Sequence, residues 1–355
     1  MMAYLHSLST SLPPHLLPQT LVQDRAQAIL GPKYPQFERL LKTFTTSGIK
    51  ERYSVVPLSW FEEDHGWADR NKAYIEGALA LFIAAATKAL ATADWLAEEV
   101  DCVITVSSTG IATPTLEALA LTALGFSDHV IRIPVFGLGC AGGVSGLSLA
   151  ADMAQARPGT KVLLVVVETC TLLFRNDRLQ KSDIIATVLF GDGAAAACVS
   201  TTNPDANERV VVLGKGYQKT WPDTLSIMGW DVDNTGLGVI FDRSIPVFVE
   251  REFKGALDGA LTAFGLERGE IDHFVCHPGG AKVVDALETV LELDQGALLT
   301  ERETLRHAGN MSAPTVLFVL KRVLDDGAEG KMIACALGPG FTASFIPVTV
   351  GKKVG

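Results

Sequence analysis

Val135-Phe-Gly-Leu-Gly-Cys140-Ala-Gly-Gly-Val-Ser-Gly146 is the stretch on which the reading of this chain turns. Its spacing predicts a strand over His129–Val135, a glycine-rich turn, and a helix of small residues over Ala141–Gln155. Gly137, Gly139 and Gly142 spell GxGxxG, and Glu168 follows at the end of the next strand. That is the fingerprint of a dinucleotide loop. The same turn puts Cys140 at a helix start, where the dipole and free N–H groups favour a thiolate. The glycines around it would let a substrate carbonyl approach closely. A cysteine simply packed in a tight turn is the third reading. The stretch by itself leaves all three open.

Composition narrows the frame. The chain has 355 residues, 48% hydrophobic and 20% charged, with mean hydropathy +0.27. Such a chain buries a large core, and ~100–200 residues per domain predicts two domains or one duplicated one. Thirty Lys and Arg against forty Asp and Glu give a net charge of −10, which argues against nucleic-acid binding. The six cysteines form no CxxC pair, and no HExxH motif occurs, so neither a disulfide framework nor a metal centre is expected. The N-terminus lacks a basic targeting segment and is broken by Pro13, Pro14 and Pro18. The longest uncharged apolar run, near Gly77–Thr87, ends at Lys88, short of the ~20 residues that span a bilayer. A soluble cytoplasmic protein with reduced thiols and no transmembrane segment is expected.

Working outward, residues 1–20 read as an irregular arm, and Gln19–Leu30, Phe37–Thr45 and Asn71–Ala97 as helices. Strands are predicted over Asp101–Val106, Lys161–Val167 and Ala194–Val199, with a helix over Thr115–Leu124. Asn203–Glu208 is polar and turn-rich, which places a boundary near 205 between halves 1–205 and 206–355. The second half repeats the pattern. Strands are predicted over Val210–Leu213, Ile271–Cys276, Lys331–Leu337 and Thr342–Pro347, and helices over Val247–Phe264, Ala281–Leu291 and Ser312–Val323. The fold class is α/β with two similar halves.

Three more stretches carry chemistry. In Phe274-Val-Cys-His277-Pro-Gly-Gly280 a strand delivers a histidine to its C-terminal end, where ligand sites of α/β folds gather. Gly279 and Gly280 leave room for a narrow ligand arm. In His307-Ala-Gly309-Asn310-Met-Ser-Ala-Pro314, Asn310 precedes a helix and can cap it; if Ser312 is the cap, the amide is free for a ligand. Gly338-Pro339-Gly340 sits between two apolar strands, as a hairpin turn or as a backbone scaffold against a site.

Taken in order, FGLGCAGG, LFGDGAAAA, CHPGGAKV, HAGNMSAPTVLFVL and ALGPGFT resemble the type III polyketide synthases, chalcone-synthase-like enzymes. The resemblance runs from about residue 20 to the C-terminus. It implies a thiolase-like αβαβα layered fold, a homodimer, and a catalytic triad of Cys140, His277 and Asn310 with Phe190 as gatekeeper. It also implies an acyl-CoA starter and malonyl-CoA as substrates, with no cofactor. A related condensing enzyme fed by an acyl carrier protein would share the triad. Its histidine segment usually reads His-Gln-Ala-Asn, whereas this chain has His-Pro-Gly-Gly.

Departures from the plant pattern bear on the cavity. A second gatekeeper phenylalanine is replaced by Val239, and Cys170, Leu172 and Leu173 stand where small polar residues are usual. Ser108, Ala186 and Trp230 complete the predicted wall, and Thr113 replaces a methionine that crosses the plant dimer interface. A wider, more apolar cavity predicts an aliphatic starter and an alkylpyrone or alkylresorcinol product. For the CoA phosphates, Arg39 and Lys42 stand three apart on one helical face, while Thr46 occupies the third basic position.

Overall fold

The apolar runs of the sequence come together as neighbouring strands of one sheet. The computed structural model describes residues 1–34, 36–178, 180–204 and 209–352. The strands are β1 (Ala3–Ser11), β2 (His15–Pro18), β3 (Glu51–Ser54), β4 (Cys102–Val106), β5 (Ile131–Val135), β6 (Val162–Thr169), β7 (Asp192–Ser200), β8 (Arg209–Leu213), β9 (Tyr217–Thr220), β10 (Met228–Val232), β11 (Leu237–Phe241), β12 (His273–Cys276), β13 (Gly330–Gly338) and β14 (Thr342–Lys352). The helices are α1 (Gln19–Leu30), α2 (Phe37–Thr46), α3 (Trp67–Thr92), α4 (Leu116–Leu124), α5 (Gly142–Ala156), α6 (Lys181–Leu189), α7 (Ile245–Phe264), α8 (Ala281–Val290), α9 (Leu299–Ala308) and α10 (Pro314–Asp325).

The sheet runs β12-β13-β14-β8-β1-β7-β6-β4-β5, with β9 added to β14. One half holds the parallel strands β5, β4 and β6, then antiparallel β7 and β1. The other holds parallel β12 and β13, then antiparallel β14 and β8. The halves meet where Ala3 and Tyr4 pair with Leu213 and Val212. The predicted boundary at 205 lies outside the described residues.

Period-two alternation divides the buried side chains into layers. Ile104, Val106, Leu164 and Val166 face inward with Ala334, Ala336 and Ile346, and sandwich α5 and α10. Val103, Leu163, Val165 and Val167 face α3. Ile333, Cys335, Leu337 and Phe345 face α7 and α8. The order is helix, sheet, helix, sheet, helix. α3 is long and apolar enough by composition to cross a membrane. Its Ala78, Phe82, Ala85, Ala86 and Ala89 are instead fully buried against the sheet.

The N-terminal arm departs from expectation. Residues 3–11 form β1, in the middle of the sheet between β7 and β8. A register shift between Leu5 and Ser7 breaks the alternation, and Ser7, Ser9 and Ser11 are buried where apolar residues would have signalled a strand. Ser7 stays satisfied by donating its hydroxyl to Ala89 O at 2.7 Å.

Candidate active site

Cys140 occupies the single 3-10 turn Gly139–Ala141 that leads directly into α5. The turn fits only because its neighbours lack bulk. A Cβ on Gly139 would lie 2.6 Å from Pro339, and one on Gly143 would lie 2.3 Å from Ala313 O. Gly139 also sits at φ +46°, a left-handed value that favours glycine. The glycines therefore serve close packing of α5 on α10 and on the Gly338–Pro339 turn. They do not cradle a pyrophosphate. Glu168 is fully buried and accepts from Ser108 N at 2.9 Å and Thr109 Oγ1 at 2.8 Å, so it cannot receive a ribose. The dinucleotide reading is thereby overturned.

The chain brings Cys140, His277 and Asn310 to one cavity, lined also by Gly279, Met228, Phe241 and Cys335. All three are buried, at 8%, 5% and 1% exposure. His277 follows the last residue of β12, and its N–H donates to Cys335 O at 2.9 Å. Among the described residues neither of its ring nitrogens has a hydrogen-bond partner, which leaves both open to a reacting group. Asn310 Nδ2 donates to Gly279 O at 3.1 Å, and Asn310 Oδ1 accepts from Ser312 N at 2.8 Å. Ser312 is not the helix cap. Ala313 takes that position, and the Ser312 hydroxyl instead accepts from Cys140 Sγ at 3.4 Å.

Electrostatics correct a second expectation. Burial pushes the Cys140 thiol up to about 12, against smaller downward pulls from Ser312 and Asn310. Burial likewise pushes His277 down to about 3. Desolvation outweighs the helix dipole, and the resting pair is a thiol beside a neutral imidazole.

Most of the predicted wall residues gather in an apolar cluster that meets this cavity through Phe241, and none of that cluster's other members lines the cavity itself. Cys170, Leu173, Ala186, Phe190 and Val239 form one apolar cluster with Trp230 and Phe241 against it. Trp230 and Val239 stand opposite each other in the β10–β11 hairpin, and Trp230 Nε1 donates to Ser108 O at 2.8 Å. Leu172 does not join them. It turns into the core under α3, because Cys170–Leu173 is a 3-10 turn of about three residues per turn, which puts Cys170 and Leu173 on one face and Leu172 off it. Gly338, Pro339 and Gly340 form the hairpin turn between β13 and β14, with Pro339 against Gly139. Gly280 precedes α8. Arg39 and Lys42 lie exposed on α2. Beyond the end of that helix, a Cβ on Gly48 would lie 3.9 Å from the Ala281 Cβ, next to Gly280.

Two further buried residues matter here: Glu168, in a role other than the ribose contact its spacing suggested, and Arg52, which the sequence reading did not single out. Glu168 lies close enough to raise the Cys140 thiol further, and burial raises Glu168 itself to about 8. Arg52 on β3 is 2% exposed and reaches the end of α6. Nothing in the local sequence marks Arg52, since a lone Arg in a strand ordinarily reads as a solvated edge.

Residues 2–204 match the family model for the N-terminal domain of chalcone and stilbene synthases, and residues 213–350 match that for the C-terminal domain. A Bacillus subtilis (strain 168) protein that carries a chalcone synthase name is 36% identical, over 97% of this chain and 98% of that one. The 1,3,6,8-tetrahydroxynaphthalene synthase of Streptomyces peucetius is 34% identical, over 96% of this chain and 91% of that one. Among solved structures, the tetrahydroxynaphthalene synthase of Streptomyces coelicolor A3(2) superposes with a TM-score of 0.91 at 30% identity, covering 98% of this chain and 99% of that one.

Proposed function

The chain belongs to the chalcone and stilbene synthases, the type III polyketide synthases, and from that membership we propose how its residues divide the work. Enzymes of this family are acyltransferases that condense malonyl-CoA iteratively and need no cofactor beyond their CoA thioester substrates.

Cys140 carries the growing acyl chain. Neutral His277 accepts the thiol proton as sulfur attacks the starter thioester, then returns it to the departing CoA thiolate. When malonyl-CoA loses CO2, negative charge collects on its thioester oxygen. The His277 ring N–H and the Asn310 amide are the donors aimed at that charge, each worth ~2.7–4 kcal/mol in such a role. The resulting carbanion attacks the Cys140 thioester, and collapse of the tetrahedral adduct frees the sulfur for the next cycle.

The starter is an aliphatic acyl-CoA, and the product an alkylpyrone or alkylresorcinol. The observation that carries this reading is a second apolar pocket. It is lined by Cys170, Ala186 and Phe190, members of the apolar cluster that meets the Cys140 cavity through Phe241, and continues between Leu17, Val22, Ile29 and Phe61. An alkyl chain gains ~0.8 kcal/mol per buried CH2 in such a space. Incubation with malonyl-CoA and a panel of starters tests it. Preference for medium or long alkyl chains is expected. Preference for aromatic starters, turnover only with an acyl carrier protein, or a hydroxylated naphthalene from malonyl-CoA alone would overturn it.

The enzyme works as a cytoplasmic homodimer. β5 is a sheet edge with mostly exposed residues, and Ile111, Ile131 and Phe136 expose 53%, 37% and 59% of their surface beside it. An apolar unpaired edge of this kind calls for a covering surface, which a second copy can supply. Analytical ultracentrifugation of wild type and Phe136→Glu tests this, with a dimer expected only for wild type and a wild-type monomer overturning it.

A further inference from the structure

The C-terminal end of α6 is closed by buried donors from three distant parts of the chain. Helix ends leave their last carbonyls without partners. Here four consecutive ones are taken. Arg52 Nη1 donates to Thr187 O at 2.5 Å and to Phe190 O at 3.1 Å. Gln19 Nε2 donates to Val188 O at 3.1 Å, and Asn310 N donates to Leu189 O at 2.8 Å. Arg52 Nη2 also donates to Gln19 Oε1, which ties the two side chains together. A cation at a helix C-terminus is favoured by the dipole as well.

The same arginine meets the catalytic segment through its stem. A Cβ on Gly191 would lie 3.2 Å from Arg52 Cβ, and one on Gly309 would lie 3.3 Å from it. These glycines flank Phe190 and Asn310 in sequence. The two strips are also bonded to each other, since Gly191 N donates to Asn310 O at 3.0 Å. Gln19 and Arg52 are 5% and 2% exposed, so water cannot replace either donor.

We propose that Arg52 and Gln19 are positioning residues. They form a buried clamp on residues 187–191 that sets the backbone of Asn310, and hence its side-chain amide, for stabilising the enolate. The proposal rests on the role assigned to Asn310 above. Asn310 N and O are both bonded to the clamped strip, on either side of Phe190. A loosened strip therefore moves gatekeeper and amide together, while Cys140 is held separately by α5 and the Gly338–Pro339 turn.

The test compares two half-reactions in Arg52→Lys, Arg52→Met and Gln19→Leu. Acyl loading on Cys140 from acetyl-CoA, too short to reach the apolar pocket that Arg52 also lines, is followed by intact mass, and malonyl-CoA decarboxylation by CO2 release. Decarboxylation kcat should fall roughly ten- to a hundredfold, the scale of a misplaced catalytic group, with KM and loading within about twofold. Arg52→Lys should retain more activity than Arg52→Met, because it keeps a cationic donor. Equal loss of loading and decarboxylation per folded enzyme, or no loss in any variant, overturns the clamp. Should Arg52→Met fail to fold, Gln19→Leu still decides, since it removes one donor and leaves the cation. Asn310→Ala assayed in parallel separates the two claims. If it keeps full decarboxylation, the role of Asn310 fails; if it loses decarboxylation while the clamp variants do not, only the clamp fails.

Discussion

Cys140 and Ser312 share a hydrogen bond in which the thiol donates to the hydroxyl, Sγ to Oγ at 3.4 Å. A thiol that donates is protonated, in keeping with burial pushing it up to about 12. The rate of alkylation by iodoacetamide tracks the thiolate fraction. It should rise about tenfold per pH unit from roughly pH 6 to pH 10, with no plateau near neutrality. Once the thiol ionises, the Ser312 hydroxyl can turn to donate to the sulfur, which pulls the Cys140 pKa down; Ser312→Ala removes that donor, so its alkylation should be slower at every pH. A plateau below pH 8 in wild type would mean a preformed thiolate–imidazolium pair and would sink this account of the resting state.

Glu168 makes stability depend on pH in a direction opposite to most carboxylates. Burial raises it from 4.5 to about 8, so the folded state holds a proton that the unfolded state releases. Its contribution is therefore fully present below about pH 4.5 and is lost as pH rises through about 8. Glu168→Gln keeps the acceptor for Ser108 N and Thr109 Oγ1 without the ionisation. Denaturant unfolding at pH 5 and pH 8 should show the variant losing less stability over that interval, by on the order of a few kcal/mol. Equal losses in both proteins would place the Glu168 proton elsewhere.

Much of this architecture was legible because the central strands are unmixed apolar runs. Lys161–Val167 could only be a strand buried on both faces, and it became β6. The site was legible where chemistry demanded unusual spacing: glycines crowding Cys140, and His277 at a strand end. What stayed hidden depends on contacts far apart in sequence. Ser7, Ser9 and Ser11 look like a loop until Ala89 and β7 surround them. Arg52 looks like an exposed strand residue until the end of α6, 135 residues later, closes over it. The β10–β11 hairpin is tied down by Arg175 on Asp233 and Arg178 on Asp231, pairs that no local pattern reveals.

Chain length should respond to Ala186. It is 7% exposed and belongs both to the wall beside Phe190 and to the apolar pocket beyond it. Ala186→Phe would put a ring into the pocket where it borders the cluster around Phe190. With each methylene worth ~1–3 kcal/mol of discrimination, kcat/KM for a dodecanoyl starter should fall more than tenfold. A butanoyl starter should change less than about threefold, because its chain ends short of the block. Equal losses for both starters would place the alkyl chain outside this pocket.

Arg39 and Lys42 are exposed on α2, and neither has an ion-pair partner among the described residues. On a chain of net charge −10 they are two exposed cations, and the CoA contact expected of them makes a salt-dependent prediction. Arg39→Ala with Lys42→Ala should raise the KM for malonyl-CoA several-fold at low salt and less at high salt, where screening already weakens the attraction. The KM for malonyl-N-acetylcysteamine, which has no phosphates, should not move. A rise for both substrates would mean that the helix is disturbed and the charges are not the cause.

The division of labour in the triad predicts which half-reaction each residue can be spared from. In the proposed division, Cys140 holds the acyl chain and the enolate forms on malonyl-CoA under the donors His277 and Asn310. Cys140→Ala should therefore lose the acyl adduct and all condensation while still releasing CO2 from malonyl-CoA. His277→Ala removes both the proton acceptor for Cys140 and one enolate donor, so loading and decarboxylation should both fall, the latter by about 10²–10³. Asn310→Asp replaces the amide donor by a carboxylate that repels the developing charge, so decarboxylation should fall while Cys140 still loads. CO2 release and intact mass, measured on the same three variants, separate these outcomes. An acyl adduct that persists in Cys140→Ala would remove Cys140 from the nucleophile role. CO2 release lost in Cys140→Ala but kept in Asn310→Asp would move enolate stabilisation away from the amide.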